Sequence, residues 1–407
     1  MQATIRMPQS GQVAPVALFG VLIAGAVLVT MFNTGRKIAE KSQVANAADA
    51  AAYSGAVWTA RHLNFMAYTN RAMVANHAAV GHLVSYVSWI RYIDDSIEYI
   101  DRITQFIPYV GQYVDVVEQL AKSVRDTTQQ AAAVAVPAVD GWNANLRAAQ
   151  LEVQTSLALD PLNDLMQQTA RRWDPAIRVN DRQAIGKLPH EVSAVVQAQL
   201  IGQLVRVPTF VERFTAGSDH GAIGELIDAS IRADNDMRRW ITGERGWQEN
   251  LLLAQIRKQG GTRHTQTASG ADWRATDQLQ HRTRGLFGWH RWRRVGDRPS
   301  SASASEFDSS YDGVPHYYNV AGSPGDRSLR IAALATRPQP QTRSQFGLAT
   351  EASMLAAVAT AKVEFVRPDD GSFTRLDTGR HEYANLFNPF WEAKLAPLEP
   401  LGRQVVP

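Results

Sequence analysis

The chain has 407 residues, of which 45% are hydrophobic and 20% are charged, and it contains no cysteine. Those fractions exclude a wholly disordered chain. The lack of thiols excludes disulfides, thiolate zinc sites, iron–sulfur clusters and cysteine nucleophiles. With 42 basic and 39 acidic side chains the net charge is only +3, so charge gives no case for nucleic-acid binding.

The first strong signal is an uncharged segment between Arg6 and Arg36. Val13–Phe32 are almost all apolar, and about twenty helical residues at 1.5 Å each cross a hydrocarbon layer of about 30 Å. A cleaved signal peptide is the alternative, but it needs a shorter apolar run followed closely by small residues, whereas bulky residues end this one. We therefore predict a transmembrane helix over 13–34, preceded by a tail over 1–12.

The charges that flank the predicted span bear on its orientation. Arg6 precedes the span, whereas Arg36, Lys37 and Lys41 follow it. The positive-inside rule then favours a cytoplasmic location for the C-terminal side. Glu40 weakens this asymmetry, so charge alone leaves the orientation open.

The stretch after the span is rich in alanine and other helix formers. Ala45, Ala48, Ala52 and Ala56 share one side of a helix, and small side chains at that spacing let another helix approach closely. Composition alone favours packing within the chain's own body.

Three motifs in this region together resemble the N-terminal region of TadG-like (TadE/TadG-like) proteins of Flp, or tight-adherence, pilus assembly. They are Ser10-Gly-Gln-Val13, Gly35-Arg36 and Gln43–Ala52. Two later stretches, Leu63–Asn76 and Tyr383–Pro397, resemble the C-terminal continuation of larger members of that group. The resemblance over about residues 10–60 marks as family-motif or interaction residues Gly11, Asn46, Ala47, Ala48, Asp49, Ala50, Ala51 and Ala52.

The resemblance implies a single-pass protein of the bacterial inner membrane with its bulk in the periplasm, opposite to the orientation that the flanking charges favour. It implies no enzymatic activity and no cofactor. The expected partners are the lipid bilayer and other pilus-assembly or envelope proteins; a homo-oligomer is left open, and no nucleic acid is expected. The alternative is a membrane-tethered enzyme or ligand-binding receptor of the cell envelope whose site forms only in the fold.

Two features depart from the family pattern. Related pseudopilins are cut after a small residue and carry Glu five residues into the mature chain, but a cut after Gly11 would place Val16 there, which argues against processing. Some TadG-like proteins also carry a von Willebrand A domain, whose metal site opens with Asp-x-Ser-x-Ser. The string Asp308-Ser-Ser-Tyr-Asp312 lacks the second serine at that spacing, so we predict no such metal site.

The predicted fold is mainly α. The transmembrane helix continues into an elongated helical bundle over 35–260, followed by a smaller β-rich or α+β domain over 261–407. The predicted helices are 60–105, 112–136 ended by Pro137, 138–159, 160–172, 189–206, 222–258 and 349–360. The predicted strands lie near 287–295, 317–320, 329–333 and 361–366, with a Ser-rich loop at 299–305.

Polar residues interrupt the apolar face of the helix predicted at 60–105. They are Asn64, Asn70, Arg71, Asn76 and His77. These residues form either a hydrogen-bonded seam against partner helices or a solvated face. We favour the seam, because buried amides and imidazoles occur where partners satisfy them.

A basic aromatic cluster near residue 290 is the most distinctive local feature of the C-terminal part. One interpretation is a surface for anionic lipid headgroups or a protein partner. The other is a strand pair with packed tryptophans and solvated or ion-paired arginines, which composition favours. The candidate contact residues are Trp289, Arg291, Trp292, Arg293 and Arg294.

The sequence offers no motif for metal binding, nucleotide binding or nucleophilic catalysis. His77 and His82 are five residues apart, which places them on different sides of a helix. Ser218, Asp219 and His220 are adjacent between two glycines, so their side chains diverge and cannot form a triad. We therefore expect no catalytic, cofactor-binding or metal-binding residues.

Overall fold

The computed structural model describes residues 13–104, 111–157, 159–181, 245–267, 270–314, 328–339, 353–366 and 384–397, together with residues 183, 210, 224 and 227. Within these ranges one long helix contacts two further helices and two antiparallel sheets. The predictions at 189–206, 317–320, Gly11 and the loop that holds Ser218 lie outside the described residues.

Helix α1 (Val13–Thr104) is a continuous helix of 92 residues without proline beyond its first turn. Its first part is exposed: Leu18, Leu22 and Val29 keep 65%, 62% and 37% of their surface. Burial of apolar side chains begins at Val44. The same helix is therefore an isolated apolar rod at one end and the central element of a folded body at the other.

Two helices return along α1. Helix α2 (Gly111–Ser156) runs antiparallel to it, because Arg125 pairs with Asp94 whereas the later Gln150 donates to Asn70 Oδ1 at 2.7 Å. Helix α3 (Leu159–Arg171) follows after a short break, as predicted within one residue. Both helices pack along the part of α1 that belongs to the body.

The break predicted at Pro137 is wrong, since α2 continues through it. A proline removes one backbone hydrogen bond and bends a helix, but burial of the surrounding turns can outweigh that loss. Ala132 and Val136, in the turns just before Pro137, are fully buried. Packing in the core holds the helix together where the sequence predicts its end.

The first sheet lies beside the half of the body nearer the apolar rod and is called the proximal sheet. Its order is β1 (Arg178–Val179), β8 (Ser328–Gln339), β9 (Ser353–Phe365) and β10 (Trp391–Ala396). All three pairings are antiparallel. Small residues dominate β8 and β9, so the sheet approaches the alanine-rich side of α1 closely.

The second sheet, called the distal sheet, is built around a long hairpin. Strands β2 (Trp247–Asn250), β3 (Ala254–Thr267) and β4 (Gly270–Gly285) are consecutive neighbours. Strand β4 also pairs with three short strands: β5 (Gly288–Trp289), β6 (Arg293–Arg294) and β7 (Ser300–Ser303), the last followed by helix α4 (Ala304–Phe307).

Trp273 fixes the distal sheet on α1. Its indole Nε1 donates to the carbonyl of His77 at 2.7 Å, and its ring lies directly on Gly81. A Cβ at Gly81 would sit 2.7 Å from that ring, so glycine permits this close approach. Because Trp273 meets α1 near residue 80 and Asp277 meets Ser88, β4 runs in the same direction as α1, away from the apolar end.

Three local predictions are corrected. Residues 247–258 form β2 and the start of β3 instead of a helix, and the helix predicted at 349–360 overlaps β9 from Ser353. The predicted Ser-rich loop contains strand β7. In each case pairing with a strand distant in sequence outweighs local helix or loop propensity.

The coarse fold prediction is confirmed: a long apolar N-terminal helix leads into further helices, and β-sheets follow in the C-terminal region. The strands predicted at 329–333 and 361–366 lie in β8 and β9. The helical-bundle detail and the division of the body at 260/261 stay predictions, and β3 crosses that boundary.

Candidate interaction surfaces and buried polar clusters

The apolar start of α1 is the largest exposed hydrophobic surface among the described residues. It is long and apolar enough to cross a membrane, and its most apolar stretch is not buried by any other part of the described chain. Arg36 and Glu40 mark its end with an ion pair of 3.1 Å. Such a rod needs an apolar surrounding that the described part of the chain does not provide.

The motif Asn46–Ala52 is divided between two sides of α1. Ala47, Ala48, Ala51 and Ala52 are fully buried, whereas Asn46 and Asp49 are exposed and Ala50 is half-buried. The alanines pack inside the chain's own core, where α3 and the proximal sheet meet α1. Only the exposed side of the motif is available to another molecule.

Four of the five polar residues of α1 are buried or half-buried and hydrogen-bonded, so the hydrogen-bonded seam is confirmed for them, but only Asn70 and Asn76 have partners in another helix. Asn64 donates to the carbonyl of Trp391 at 2.9 Å and accepts from its N–H at 3.0 Å. Asn70 donates to the carbonyl of Leu386 at 2.7 Å. These backbone partners lie in and before β10, whereas Gln150 of α2 donates to Asn70, and Arg71 is exposed.

Asn76 and His77 complete the seam on the distal side. Asn76 donates to Asn143 Oδ1 of α2 at 2.9 Å. His77 Nδ1 lies 2.5 Å from the hydroxyl of Tyr311, and the rings of His77 and His264 are 5.1 Å apart. Burial, and secondarily the nearby His264, lowers the pKa of His77 to about 3, so the ring is neutral at physiological pH.

A buried ion cluster lies between α1 and the distal sheet. Asp277 is fully buried and pairs with Arg245 at 3.1 Å and Lys258 at 2.9 Å, both almost fully buried. Ser88 of α1 donates to the same carboxylate at 2.7 Å. Burial lowers the pKa of Lys258 and of Arg245, while Asp277 opposes that effect. One carboxylate therefore balances two cations in the core.

Gly260 explains how the carboxylate of Asp277 fits into this cluster. The two residues are paired in the β3–β4 register. Any Cβ at Gly260 would overlap the carboxylate of Asp277. The glycine pair Gly260-Gly261, which in the sequence marks a change of composition, thus provides the space for a buried charge.

Two groups of carboxylates lie along α2. Near its start, Asp101, Asp115 and Glu118 place one oxygen each within 4.8 Å of one another. Lys122 neutralises part of this charge through an ion pair of 2.5 Å with Glu118. In the second half of α2, burial and the charges of Asp308 and Asp312 raise the pKa of Asp140 to about 6.

Asp140→Asn is expected to stabilise the protein at pH 7.5. The pKa of Asp140 is higher in the folded than in the unfolded chain, so stability falls as pH rises from about 4 to 6. Removing the charge should restore about 1 kcal/mol at pH 7.5, after allowance for partial solvent exposure, and nothing at pH 4. Thermal unfolding at both pH values, with the exposed Glu152→Gln as control, measures this. A variant that is less stable at pH 7.5 would contradict the expectation.

The basic aromatic cluster forms ladders of stacked cations and rings on the distal sheet. Arg257 and Arg282 lie 4.2 and 4.6 Å from the ring of Trp292, and Arg282 also lies 5.2 Å from that of Trp289. Arg293 and Arg294 form β6, and Arg291 directly precedes Trp292 in the same segment. Trp292 is half-buried, whereas Trp289, Arg291, Arg293 and Arg294 are exposed, so a contact of this cluster with lipid or a partner stays a prediction.

Strands β3 and β4 of the distal sheet bound an open trough of about 1010 Å³. Its lining is polar and basic, with Arg257, Arg263 and Arg274 among the glutamines and threonines of the two strands. Two buried polar groups, the hydroxyl of Tyr311 and the carboxylate of Asp277, do not line the trough. They bind His77 and Ser88 of α1. No described titratable pair with an acid–base arrangement lines this trough.

Comparison with known proteins identifies the N-terminal segment. Residues 11–58 match the model of a family described as putative Flp pilus-assembly TadE/G-like. The N-terminal region of the chain is TadE/G-like. The matched TadE/G-like segment contains the apolar rod and the Asn46–Ala52 motif, and it ends within the buried part of α1. No curated protein and no solved structure matches the chain.

Sequence reasoning missed the cluster around Asp277. A signal for it exists in the sequence of β4. Trp273, Ala275 and Asp277 are every second residue and therefore lie on the same face, so an acidic residue shares the buried face of the strand with apolar ones. It also missed the exposed leucines at 251–253, which lie within the helix predicted at 222–258.

Proposed function

We propose that the chain is a membrane-anchored, non-enzymatic protein of Flp pilus assembly. The apolar rod over 13–34 spans the bacterial inner membrane once, and the body lies on the periplasmic side. There it makes contacts with other pilus-assembly or envelope proteins. The TadE/G-like match over 11–58 supports the assignment to pilus assembly.

The observation that carries this proposal is the continuity of α1. A single helix passes from an exposed apolar rod into the buried centre of the body without a break at residues 34–44. A helix of about 20 apolar residues satisfies its own backbone in lipid, which is the requirement for spanning a bilayer. Because no flexible linker separates the two parts of α1, the position of the span fixes the direction in which the body projects.

The polar groups of α1 support a structural role for the body. Asn64 and Asn70 bind backbone groups in and before β10, and Ser88 binds the carboxylate of Asp277. These side chains are occupied in holding β-structure on a helix. The surface that remains for partners includes the exposed side of the motif, with Asn46, Asp49 and Tyr53 about one turn apart.

Deleting residues 1–34 is expected to release the body from membranes. The membrane-bound fraction after an alkaline carbonate wash should fall at least about tenfold, because the apolar rod is removed. Replacing Val13–Phe32 by leucines is the matched control and should keep the chain in the membrane. A deleted chain that resists the wash as well as the full chain would refute the anchor, and unchanged surface pili in cells that produce only the deleted chain would refute the pilus role.

The orientation is accessible to cysteine labelling, since the chain has no cysteine of its own. Ser42→Cys and Ser309→Cys are both at exposed positions. A membrane-impermeant maleimide should label both in cells with a permeabilised outer membrane and an intact inner membrane. Labelling that requires lysis of the inner membrane would place the body in the cytoplasm.

A further inference from the structure

Two turns of the distal sheet lie side by side at one end. Leu251–Leu253 join β2 to β3, and Leu286-Phe287 join β4 to β5. The N–H of Arg284 donates to the carbonyl of Leu253 at 2.9 Å, which links the two turns directly. We call these five apolar residues the apolar tip.

The apolar tip is exposed to an unusual degree. The solvent-accessible surfaces of Leu252, Leu286 and Phe287 are 91%, 100% and 105% of the reference values for fully exposed residues of these types. The other two leucines are more than half exposed. Contiguous exposed apolar residues of this kind mark contact sites for proteins or membranes. The tip consists of two protruding turns, so it needs a surrounding that can deform around it.

Cations and tryptophans lie on the strands next to the tip, and we call them the collar. Trp289 lies two residues after Phe287, and the centre of its ring is 6.0 Å from the guanidinium of Arg284 and 5.2 Å from that of Arg282. The segments that flank the two turns, residues 247–257 and 280–294, are all described by the structure. Glu249 is the one acidic residue in them. The collar therefore complements an anionic surface. It consists of Trp289, Trp292, Arg257, Arg282, Arg284, Arg291, Arg293 and Arg294.

We propose that the apolar tip inserts into the headgroup region of a bilayer that contains anionic phospholipids. Leucine and phenylalanine would enter the acyl boundary, tryptophans favour the interface, and arginines bind lipid phosphates. A bilayer accommodates two protruding turns without a preformed pocket. A protein partner would need a cavity shaped to both turns and lined by acidic groups.

The bilayer that the tip reaches is a second one, facing the bilayer that holds the anchor. This part rests on the proposed function. From Phe32 to Ser88, α1 extends about 84 Å at 1.5 Å per residue. Strand β4 then continues beyond Asp277, at the level of Ser88, for about 26 Å to Gly285. The tip thus lies at the end of the body farthest from the span.

The test uses the full chain held by its span in nanodiscs of neutral phosphatidylcholine. Labelled discs are mixed with separate vesicles at about 0.15 M salt, and cosedimentation measures capture. We expect capture by vesicles containing phosphatidylglycerol and at least about tenfold less by pure phosphatidylcholine vesicles. Leu252→Ser with Phe287→Ser should weaken capture about tenfold or more. Arg284→Gln with Arg291→Gln should weaken it and reduce its salt dependence.

Matched control variants, and a second experiment with anionic lipid in the discs as well as in the vesicles, make each outcome decisive. Val134→Ser with Leu151→Ser removes two exposed apolar side chains of α2 and should leave capture unchanged. Equal capture by the tip variant, or equal binding to neutral vesicles, overturns the proposal. Loss of capture of phosphatidylglycerol vesicles when the discs also contain phosphatidylglycerol means that the tip binds its own bilayer, which overturns the second-bilayer assignment. Tip substitutions that abolish crosslinks to an envelope protein but leave vesicle capture intact assign the surface to a protein instead.

Failure of the anchor gives a different result from failure of the tip. A chain without a functional span does not enter nanodiscs at all, which contradicts the proposed function. A chain that enters nanodiscs but captures no vesicles contradicts only the tip.

Discussion

Asp277→Asn is expected to destabilise the protein by about 3–5 kcal/mol at pH 7.5. The substitution keeps the shape of the side chain but leaves the buried cations Arg245 and Lys258 without this anion. Ser88 also loses a charged acceptor. Chemical unfolding of the chain purified in detergent measures the loss. The half-exposed pair of Lys394 and Glu392, 3.7 Å apart, provides the control, and Glu392→Gln should change stability by less than about 0.5 kcal/mol.

The pH dependence of the Asp277→Asn variant distinguishes a lost charge from a simple packing defect. Without the carboxylate, the pKa of Lys258 should fall further below its unfolded value, because burial already lowers it. Between the folded and unfolded pKa values the unfolded chain binds more protons, so stability of the variant should rise with pH. The difference from the wild type should therefore shrink from pH 7.5 to pH 9.5. A constant difference would contradict the electrostatic explanation.

Replacing the whole cluster tests whether the stability that Asp277→Asn loses is due to unpaired buried charge or to the shape of the side chain. Asp277→Leu combined with Arg245→Met and Lys258→Met removes all three charges from the core. Replacement of buried ion clusters by apolar residues is often neutral or stabilising. We expect the triple variant to recover most of the stability that Asp277→Asn loses. A triple variant as unstable as the single one would show that shape, not charge, is decisive here.

Features encoded locally could be predicted from the sequence. The apolar rod, the TadE/G-like motif and helix α3 each depend on residues within one segment, so apolar composition, a family resemblance and the helix-start signal Asp160-Pro161 were respectively sufficient. The seam of Asn64 and Asn70 was also predictable, because amides on an apolar face require partners. The sequence could not identify those partners, which lie 327 and 316 residues away in the chain.

Features that depend on distant pairing could not be predicted. Residues 247–258 contain good helix formers, yet β3 pairs with β4 along its whole length and the helix does not form. In a helix the three consecutive leucines at 251–253 would point to different sides, but in the turn between β2 and β3 all three are exposed. The apolar tip therefore follows from the register of two strands, which no local pattern contains.

The same dependence on register explains why the end of the body far from the apolar rod resembles an interaction surface and the buried side of the motif does not. Alanines at helical spacing are compatible with many partners, and here α3 and the proximal sheet already cover them. At the distal end the alternation of β4 directs Trp273 and Asp277 onto α1 and leaves Arg274 on the opposite face, in the trough. One strand thus provides both the buried attachment to the helix and part of the cationic outer face.

Acidification is expected to destabilise the wild-type protein more than the His77→Gln variant. The folded ring of His77 has a pKa of about 3 because it is buried, whereas an unfolded histidine titrates near pH 6.5. Between these values the unfolded chain binds one more proton, so stability decreases as pH falls. From pH 7.5 to pH 4.5 this contribution amounts to about 3 kcal/mol. Glutamine cannot titrate and can still accept a hydrogen bond from Tyr311.

Urea unfolding at pH 7.5 and pH 4.5 measures this difference. Carboxylates titrate in both proteins, so the comparison isolates the contribution of His77, and the same substitution at the exposed His290 controls for the loss of an imidazole. The groups around the ring, including His264 and Tyr311, are unchanged in the variant. Parallel losses of stability in wild type and variant would mean that the buried ring accepts a proton without cost. The contact between α1 and the distal sheet would then have to tolerate a charge that its hydrogen bonds do not satisfy.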